Sequence, residues 1–197
     1  ILVVGLSSIA AGVLYTGGPY PYGYRGLGDL FVFVYFGLVA VTGTYYVQAV
    51  AVDGTVGLLP IWLPAGSVPL VAVLASLAPA SLSTCILVVN NIRDRETDAA
   101  AGKRTLAVML GYRWSRVEFV VLLAVAYVVP VAFVLGFDYG LAVLAPMLTL
   151  PLALLVTRTV LTKSDGDALN PALERVGQLL FAHSLLFAAG LATPVLL

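Results

Sequence analysis

The sequence predicts an all-α polytopic membrane protein, and three observations carry that reading. The first is composition. Of 197 residues, 61% are hydrophobic and 10% charged, and the mean hydropathy is +1.04; an ordinary soluble domain carries about 25% charged residues. A chain this apolar lacks the polar surface of a soluble globule, and disordered chains have the opposite composition. The second is the set of stretches without Asp, Glu, Lys or Arg, at 1–24, 30–52, 54–92, 119–137, 139–157 and 176–197. Each approaches or exceeds the roughly 20 residues that cross a hydrocarbon core as a helix, and none alternates with the period of two of a barrel strand. The third is the placement of the ten Lys and Arg residues, all of which fall in or beside alternate connections between the stretches.

Trimmed at turn residues, the stretches give helices near 1–14, 29–51, 66–91, 115–136, 139–161 and 173–196, six spans of one domain filling residues 1–197. The first is short and opens in Ile1-Leu2-Val3-Val4, with neither Met nor the basic n-region of a signal peptide. The expectation is a chain truncated at its N-terminus. In the second, Thr42, Gly43 and Thr44 are small residues suited to helix packing, with Tyr45, Tyr46 and Gln48 toward the far end. The third holds Pro79 and Cys85; the thiol reads as a small packing residue, and a single cysteine excludes a disulfide framework. Pro79, Pro130 and Pro151 are expected to kink their spans. The sixth holds His183, expected to be neutral and hydrogen-bonded to a neighbouring helix.

With six spans, the first, third and fifth connections share one side. Arg25, Arg93, Arg95, Lys103, Arg104, Arg113, Arg116, Arg158, Lys163 and Arg175 all lie there, and the other side keeps only Asp53 and Asp138. The excess of Lys and Arg makes that side cytoplasmic, so the connections at 15–28 and 92–114 are predicted to face the cytoplasm from the plasma membrane. The formal net charge of zero gives no sign of a nucleic-acid partner.

The third connection is where chemistry is written. It reads Asn90-Asn91-Ile92-Arg93-Asp94-Arg95-Glu96-Thr97-Asp98, then Gly102-Lys103-Arg104-Thr105. If the helix continues to Gly102, Asn90, Asp94 and Asp98 lie on one face at i, i+4 and i+8. Two carboxylates and an amide are hard oxygen ligands of the kind Mg²⁺ takes together with substrate phosphates. The paired cations beyond Gly102 suit a departing diphosphate. The first connection, Tyr15-Thr16-Gly17-Gly18-Pro19-Tyr20-Pro21-Tyr22-Gly23-Tyr24-Arg25-Gly26-Leu27-Gly28-Asp29, is rich in Gly, Pro and Tyr. It reads as a substrate-lining loop whose tyrosine faces can stabilise a cation.

At these two connections the sequence resembles the UbiA superfamily of intramembrane prenyltransferases, most closely its 1,4-dihydroxy-2-naphthoate polyprenyltransferase branch. The phrases that carry the resemblance are Tyr15-Thr16-Gly17-Gly18-Pro19, Gly26-Leu27-Gly28-Asp29 and Asn90-Asn91-x-Arg93-Asp94-x-x-x-Asp98 with Gly102-Lys103-Arg104-Thr105. The resemblance implies a nine-helix bundle, of which this chain matches helices four to nine. It implies two aspartate-rich motifs, of which this chain carries the second, so the chain by itself is expected to be inactive. Asp94 and Asp98 are then similar to Mg²⁺ ligands. Asn90, Asn91, Arg93, Lys103, Arg104, Arg25 and Asp29 are expected to bind substrate, and Tyr15 to shield an allylic cation. The implied partners are a polyprenyl diphosphate, 1,4-dihydroxy-2-naphthoate and the lipid bilayer; the implied products are demethylmenaquinone, CO₂ and diphosphate. Another aromatic or lipid acceptor is the neighbouring possibility. A transporter or lipid-binding module is the different-class one, disfavoured because transporters place ionisable groups near the bilayer midplane.

Overall fold

The computed structural model describes residues 1–53 and 67–196. The described residues form helices and no strand: α1 Leu2–Thr16, α2 Gly28–Val52, α3 Leu70–Arg93, α4 Arg95–Ala100, α5 Leu106–Gly136, α6 Leu141–Thr162 and α7 Gly166–Leu196. Five of them, α2, α3, α5, α6 and α7, are long and apolar enough to cross a membrane, and α1 is a shorter apolar helix. These are the six predicted spans, with α4 added in the third connection. The start of the predicted third helix at residue 66, and the connection before it, lie outside the described residues.

Helix α3 is the hub. It packs against α2, α5 and α7, and its small residues Ser76, Ala78, Ala80, Ser81, Thr84 and Cys85 are buried. Small side chains let backbones approach, and packing of this kind drives association where lipid offers no hydrophobic gain. The closest approach is between Gly37 of α2 and Ala80: a Cβ on Gly37 would lie 2.0 Å from the Ala80 Cβ. Gly37 sits in a π-helical segment, Phe33–Val39, a widened turn of the kind that interrupts α-helices locally. Gly43 does not make this contact; a Cβ there would meet only Ile1, at 4.0 Å, and Thr44 is exposed. The helix-packing residue of α2 is therefore Gly37, not the predicted small-residue run at 42–44. Two core clusters flank α3, one of Val88, Val89, Ile92, Phe119, Val156 and Leu169 near its C-terminus, the other of Ala78, Leu82, Phe133, Val143 and Leu179 beyond it.

Several element boundaries depart from expectation. Helix α5 begins at Leu106, nine residues before the predicted 115. Thr105 caps it, its hydroxyl accepting from the Val108 amide at 3.4 Å. Gly111 then breaks it with φ 79° and ψ 171°, a region glycine enters freely, so Leu106 to Leu110 form a separate turn. Pro151 does not kink a continuous α-helix. The first part of α6, Leu141–Thr149, is 3₁₀, and Pro151 sits in the first turn of the α segment that follows, where its missing N–H costs nothing. His183 is fully buried with neither ring nitrogen hydrogen-bonded among the described residues. It stands edge-on to Tyr127 at 5.2 Å, and the Tyr127 hydroxyl is already engaged with Thr149 at 2.6 Å. The rings of Tyr127 and Phe187 flank it.

Candidate active site

The three basic connections meet at one end of the bundle. The Arg104 amide donates to the Tyr24 carbonyl at 2.9 Å, tying the first connection to the third. Arg116 donates to the Val160 and Lys163 carbonyls, both at 3.0 Å, tying the third to the fifth. Arg93 reaches Asn170, on the first turns of α7, at 2.8 Å.

At the centre of this end, α3 stops at Arg93. Asp94 takes a non-helical conformation (φ −93°, ψ 5°), and α4 restarts at Arg95. The predicted continuous helix is thus jointed at Asp94. The i to i−4 bonds nonetheless run through the joint, from the Asp94 amide to Asn90 at 2.9 Å and from the Asp98 amide to Asp94 at 2.8 Å, so the register is kept. Gly102, at φ 75°, turns the chain after α4, and the Lys103 amide closes back on the Asp98 carbonyl at 2.9 Å.

Each carboxylate has a cation beside it. Arg93 grips Asp94 with two bonds of 2.7 Å, one to each oxygen, and also donates to Asn90 at 2.7 Å. These bonds hold the Asp94 carboxyl below the usual carboxylate range. Lys103 Nζ lies 2.8 Å from Asp98, which is buried, and this bond pushes the ammonium pKa up. Lys103 also faces the Tyr24 ring at 5.3 Å, and Asp94 feels its charge.

Tyr15 stands at the end of α1, half-buried, with Asp29, Asp98 and Lys103 all within electrostatic reach of its hydroxyl. It meets Tyr22 edge-on at 5.5 Å, and Tyr22 stacks on Phe31 at 3.8 Å. These rings wall a cavity of about 580 Å³ between α1 and α2 that continues along Ala11, Gly12 and Tyr35. Asp29, 4% exposed, accepts from the Asn91 amide at 3.3 and 3.5 Å. Asn91 and Asp29 thus form one bonded pair and Lys103 and Asp98 another, with Tyr15 in the electrostatic field of Asp29, Asp98 and Lys103. Arg25 and Arg104, with Tyr24, line a separate cavity. Sequence reasoning missed Asn170, which anchors Arg93 from a helix 77 residues away; its only sequence signal is a polar residue in the first turns of α7.

A bundle of apolar helices with carboxylate–cation pairs at one end, beside an apolar aromatic cavity, defines a multi-pass membrane protein with its polar groups gathered at one end. Comparison agrees. The UbiA prenyltransferase family matches residues 1–188, and the chain belongs to that family. It is 39% identical over 192 residues to the 1,4-dihydroxy-2-naphthoate octaprenyltransferase of Mycobacterium tuberculosis, covering 98% of this chain and 59% of that protein. Proteins of the same name from Haemophilus influenzae and Mycobacterium leprae are 34% and 35% identical, over 95% and 97% of this chain and 56% and 58% of their own length. The chain therefore spans less than two thirds of the length of these relatives.

Proposed function

We propose that this chain, within its complete protein, transfers a polyprenyl group from polyprenyl diphosphate to 1,4-dihydroxy-2-naphthoate. The observation that supports the reading is an apolar cavity walled by Tyr15 and Tyr22, with the bonded pairs Arg93–Asp94 and Lys103–Asp98 at the same end of the bundle. A prenyl chain needs the cavity, its diphosphate needs the charges, and the bond that breaks lies between them. The names of the relatives support the choice of acceptor.

Mg²⁺ fits the donor set. The described residues contain no group of three or more His, Cys, Asp or Glu that would cage an ion by themselves. Two carboxylates suit an ion that takes its remaining ligands from water and substrate phosphates, and such an ion would have to displace bonds that Arg93 and Lys103 now make to them. Asp94 and Asp98 would hold it, and when bound it would supply charge neutralisation on the diphosphate. Arg93 fixes the Asp94 carboxylate through both oxygens and sets the Asn90 amide beside it.

Lys103 is placed to take the negative charge that collects on the diphosphate as its bond to the allylic carbon breaks. The electron pair of that bond leaves with the diphosphate. The allylic cation is then faced by the tyrosine rings at 15 and 22, whose π faces attract cations. The ring carbon bearing the carboxylate attacks, the ring–carboxylate bond breaks, and its electron pair returns to the ring as CO₂ leaves. The product is the quinol form of demethylmenaquinone. The apolar walls keep out the water that would otherwise quench the cation. In this reading the protein is a multi-pass protein of the plasma membrane with its basic end in the cytoplasm.

The test uses membranes holding the complete protein, labelled polyprenyl diphosphate, 1,4-dihydroxy-2-naphthoate and Mg²⁺. Prenylated naphthoquinol and CO₂ in equal amounts are expected. Asp94→Ala and Asp98→Ala should each lower turnover by about a hundredfold or more, the scale of losing a major electrostatic contact. Absence of prenylated product from the unaltered protein would overturn the reading.

A further inference from the structure

Helix α4 carries Asp98 on a segment too short to hold itself. It has six residues, Arg95–Ala100, far below the roughly 12–15 at which an isolated helix is even marginal in water. The non-helical joint at Asp94 bounds it on one side, and Gly102, at φ 75°, turns the chain on the other. Of its residues only Asp98 is buried. The Lys103–Asp98 bond of 2.8 Å closes within the third connection, so it fixes the two groups to each other and not to a spanning helix. Arg95 supplies the outside grip. Its Nε donates to the carbonyl of buried Ala107 at 3.0 Å, and its guanidinium lies over the Tyr112 ring, 4.7 Å from the centroid. The Tyr112 hydroxyl donates to Glu96 Oε1 at 3.2 Å, the same oxygen that Arg95 reaches at 2.6 Å. Tyr112 is itself anchored. It packs against the core cluster that includes Phe119 and Leu169. Arg116, also over its ring at 5.6 Å, is pinned by the Val160 and Lys163 carbonyls, both at 3.0 Å. One run of contacts thus leads from the end of α6 through Arg116, Tyr112 and Arg95 to α4. Asp94 is anchored separately, by Arg93 and through it by Asn170 of α7.

We infer that Tyr112 is a positioning residue: the face of its ring, through Arg95, holds α4 on α5 and so sets where Asp98 and Lys103 stand. A guanidinium is attracted to a tyrosine face, and this ring is fixed by the core behind it. The Arg95–Glu96 ion pair adds little to the hold, because Glu96 is largely exposed and exposed pairs are weak. Loss of the ring face frees α4 between its two joints. Asp98 and Lys103 then shift together, while Asp94 stays with Arg93. The inference rests on the prenyl-transfer reading only for the substrate group that feels the shift, the diphosphate; the hold on α4 is independent of that reading.

The first readout is backbone amide exchange, followed by mass spectrometry on the complete protein in nanodiscs without substrate. Tyr112→Leu keeps an apolar body against the core and removes the ring; exchange over residues 95–103 should quicken about tenfold, with α7 and the rest of α5 unchanged. Tyr112→Phe keeps the ring and loses the hydroxyl, and should stay within about threefold of the unaltered protein. Arg95→Leu breaks the same contact from the other side, so it should match Tyr112→Leu, and the double variant should exchange little faster than either single one. It also keeps the test open if Tyr112→Leu does not fold. Unchanged exchange over 95–103 in the leucine variants overturns the inference. So does exchange in Tyr112→Phe as fast as in Tyr112→Leu, or quickening spread evenly over α5 and α7. The second readout is turnover. Tyr112→Leu should raise the KM for polyprenyl diphosphate about fivefold or more and leave the KM for the naphthoate unchanged, with Tyr112→Phe close to the unaltered protein; equal rises in both KM values would mean general loosening and overturn the positioning role. The two proposals fail separately. Quickened exchange over 95–103 in an enzyme whose unaltered form makes no prenylated product refutes the prenyl-transfer reading and leaves the hold on α4 standing.

Discussion

Asp94 sits at the joint between two helices with one arginine holding both of its oxygens, and Lys103 is bonded to buried Asp98. The pH behaviour of both pairs follows in sign. Asp94 is shifted down, so its contribution to stability is complete above the unfolded carboxylate value of about 3.9 and is lost as pH falls through its lower folded value. Lys103 is shifted up, so its contribution is complete below about 10.4 and is lost as pH rises through its higher folded value. Between these limits Asp94 and Lys103 stay ionised. The difference in melting temperature between the unaltered protein and Asp94→Asn should therefore be constant from pH 5 to pH 9 and shrink below about pH 4; a difference that changes steadily across neutral pH would contradict the pairing. Asn91 makes a second residue-scale prediction. It is the side-chain donor to the buried Asp29, and removing it strands a carboxylate. Asn91→Leu should cost about 1–3 kcal/mol in detergent unfolding, and much less when Asp29 is also Leu, because the stranded group is then gone. The spacing of Asn90, Asp94 and Asp98 was legible in the sequence because i, i+4 bonding survives even a jointed helix. The grip of Arg93 on Asp94 was not, since adjacent residues on a helix do not ordinarily face each other.

At the scale of elements, composition settled which stretches are helices, and glycine geometry settled how they pack. The apolar runs at 30–52 and 54–92 were plain in the sequence. Which glycine of α2 touches α3 was not, because Gly37 and Gly43 are equivalent until the crossing point is known. Gly37→Ala drives a methyl into the Ala80 Cβ, and Gly190→Ala drives one to 2.4 Å from the Ala142 carbonyl oxygen and 2.7 Å from the Val143 Cα. Backbone on the receiving side cannot swing away, so each should destabilise by about 1–3 kcal/mol or more. Gly43→Ala meets open space and should change stability by no more than about 0.5 kcal/mol. Ala80→Gly should rescue Gly37→Ala only in part, because the Ala80 Cα itself is 2.3 Å from the added methyl. Thermal unfolding in one detergent checks all four variants; equal effects at positions 37 and 43 would mean that α2 and α3 cross elsewhere. The early start of α5 belongs to the same scale. Thr105 and Gly111 act at single positions, a cap and a break, that a hydropathy window averages away.

For the molecule as a whole, the deciding feature is that every Lys and Arg falls in or beside three alternate connections, and that the structure ties those connections together through Arg93, Arg104 and Arg116. The sequence made this legible because charge asymmetry across a bilayer is written in the order of the chain, not in its folding. The two cavities were not legible in the same way, since each is shared between connections roughly 80 residues apart or between neighbouring helices whose rotation no period reveals. Sidedness can be tested with the protein's own chemistry. Cys85 is fully buried and is the one cysteine of this chain, so a protein with any cysteine outside residues 1–197 replaced by serine should resist a membrane-impermeant thiol reagent. Ala100 and Ser164 are exposed at the basic end, and Gly140 is exposed in the turn between α5 and α6, where an added Cβ meets nothing within 4 Å. In intact cells Gly140→Cys should label at once, whereas Ala100→Cys and Ser164→Cys should label only after the membrane is permeabilised. Labelling of all three from outside would remove the bilayer from between them. The reverse pattern would place the carboxylate–cation centre on the outer face, away from any cytoplasmic supply of an ionised diphosphate, which the apolar core would exclude.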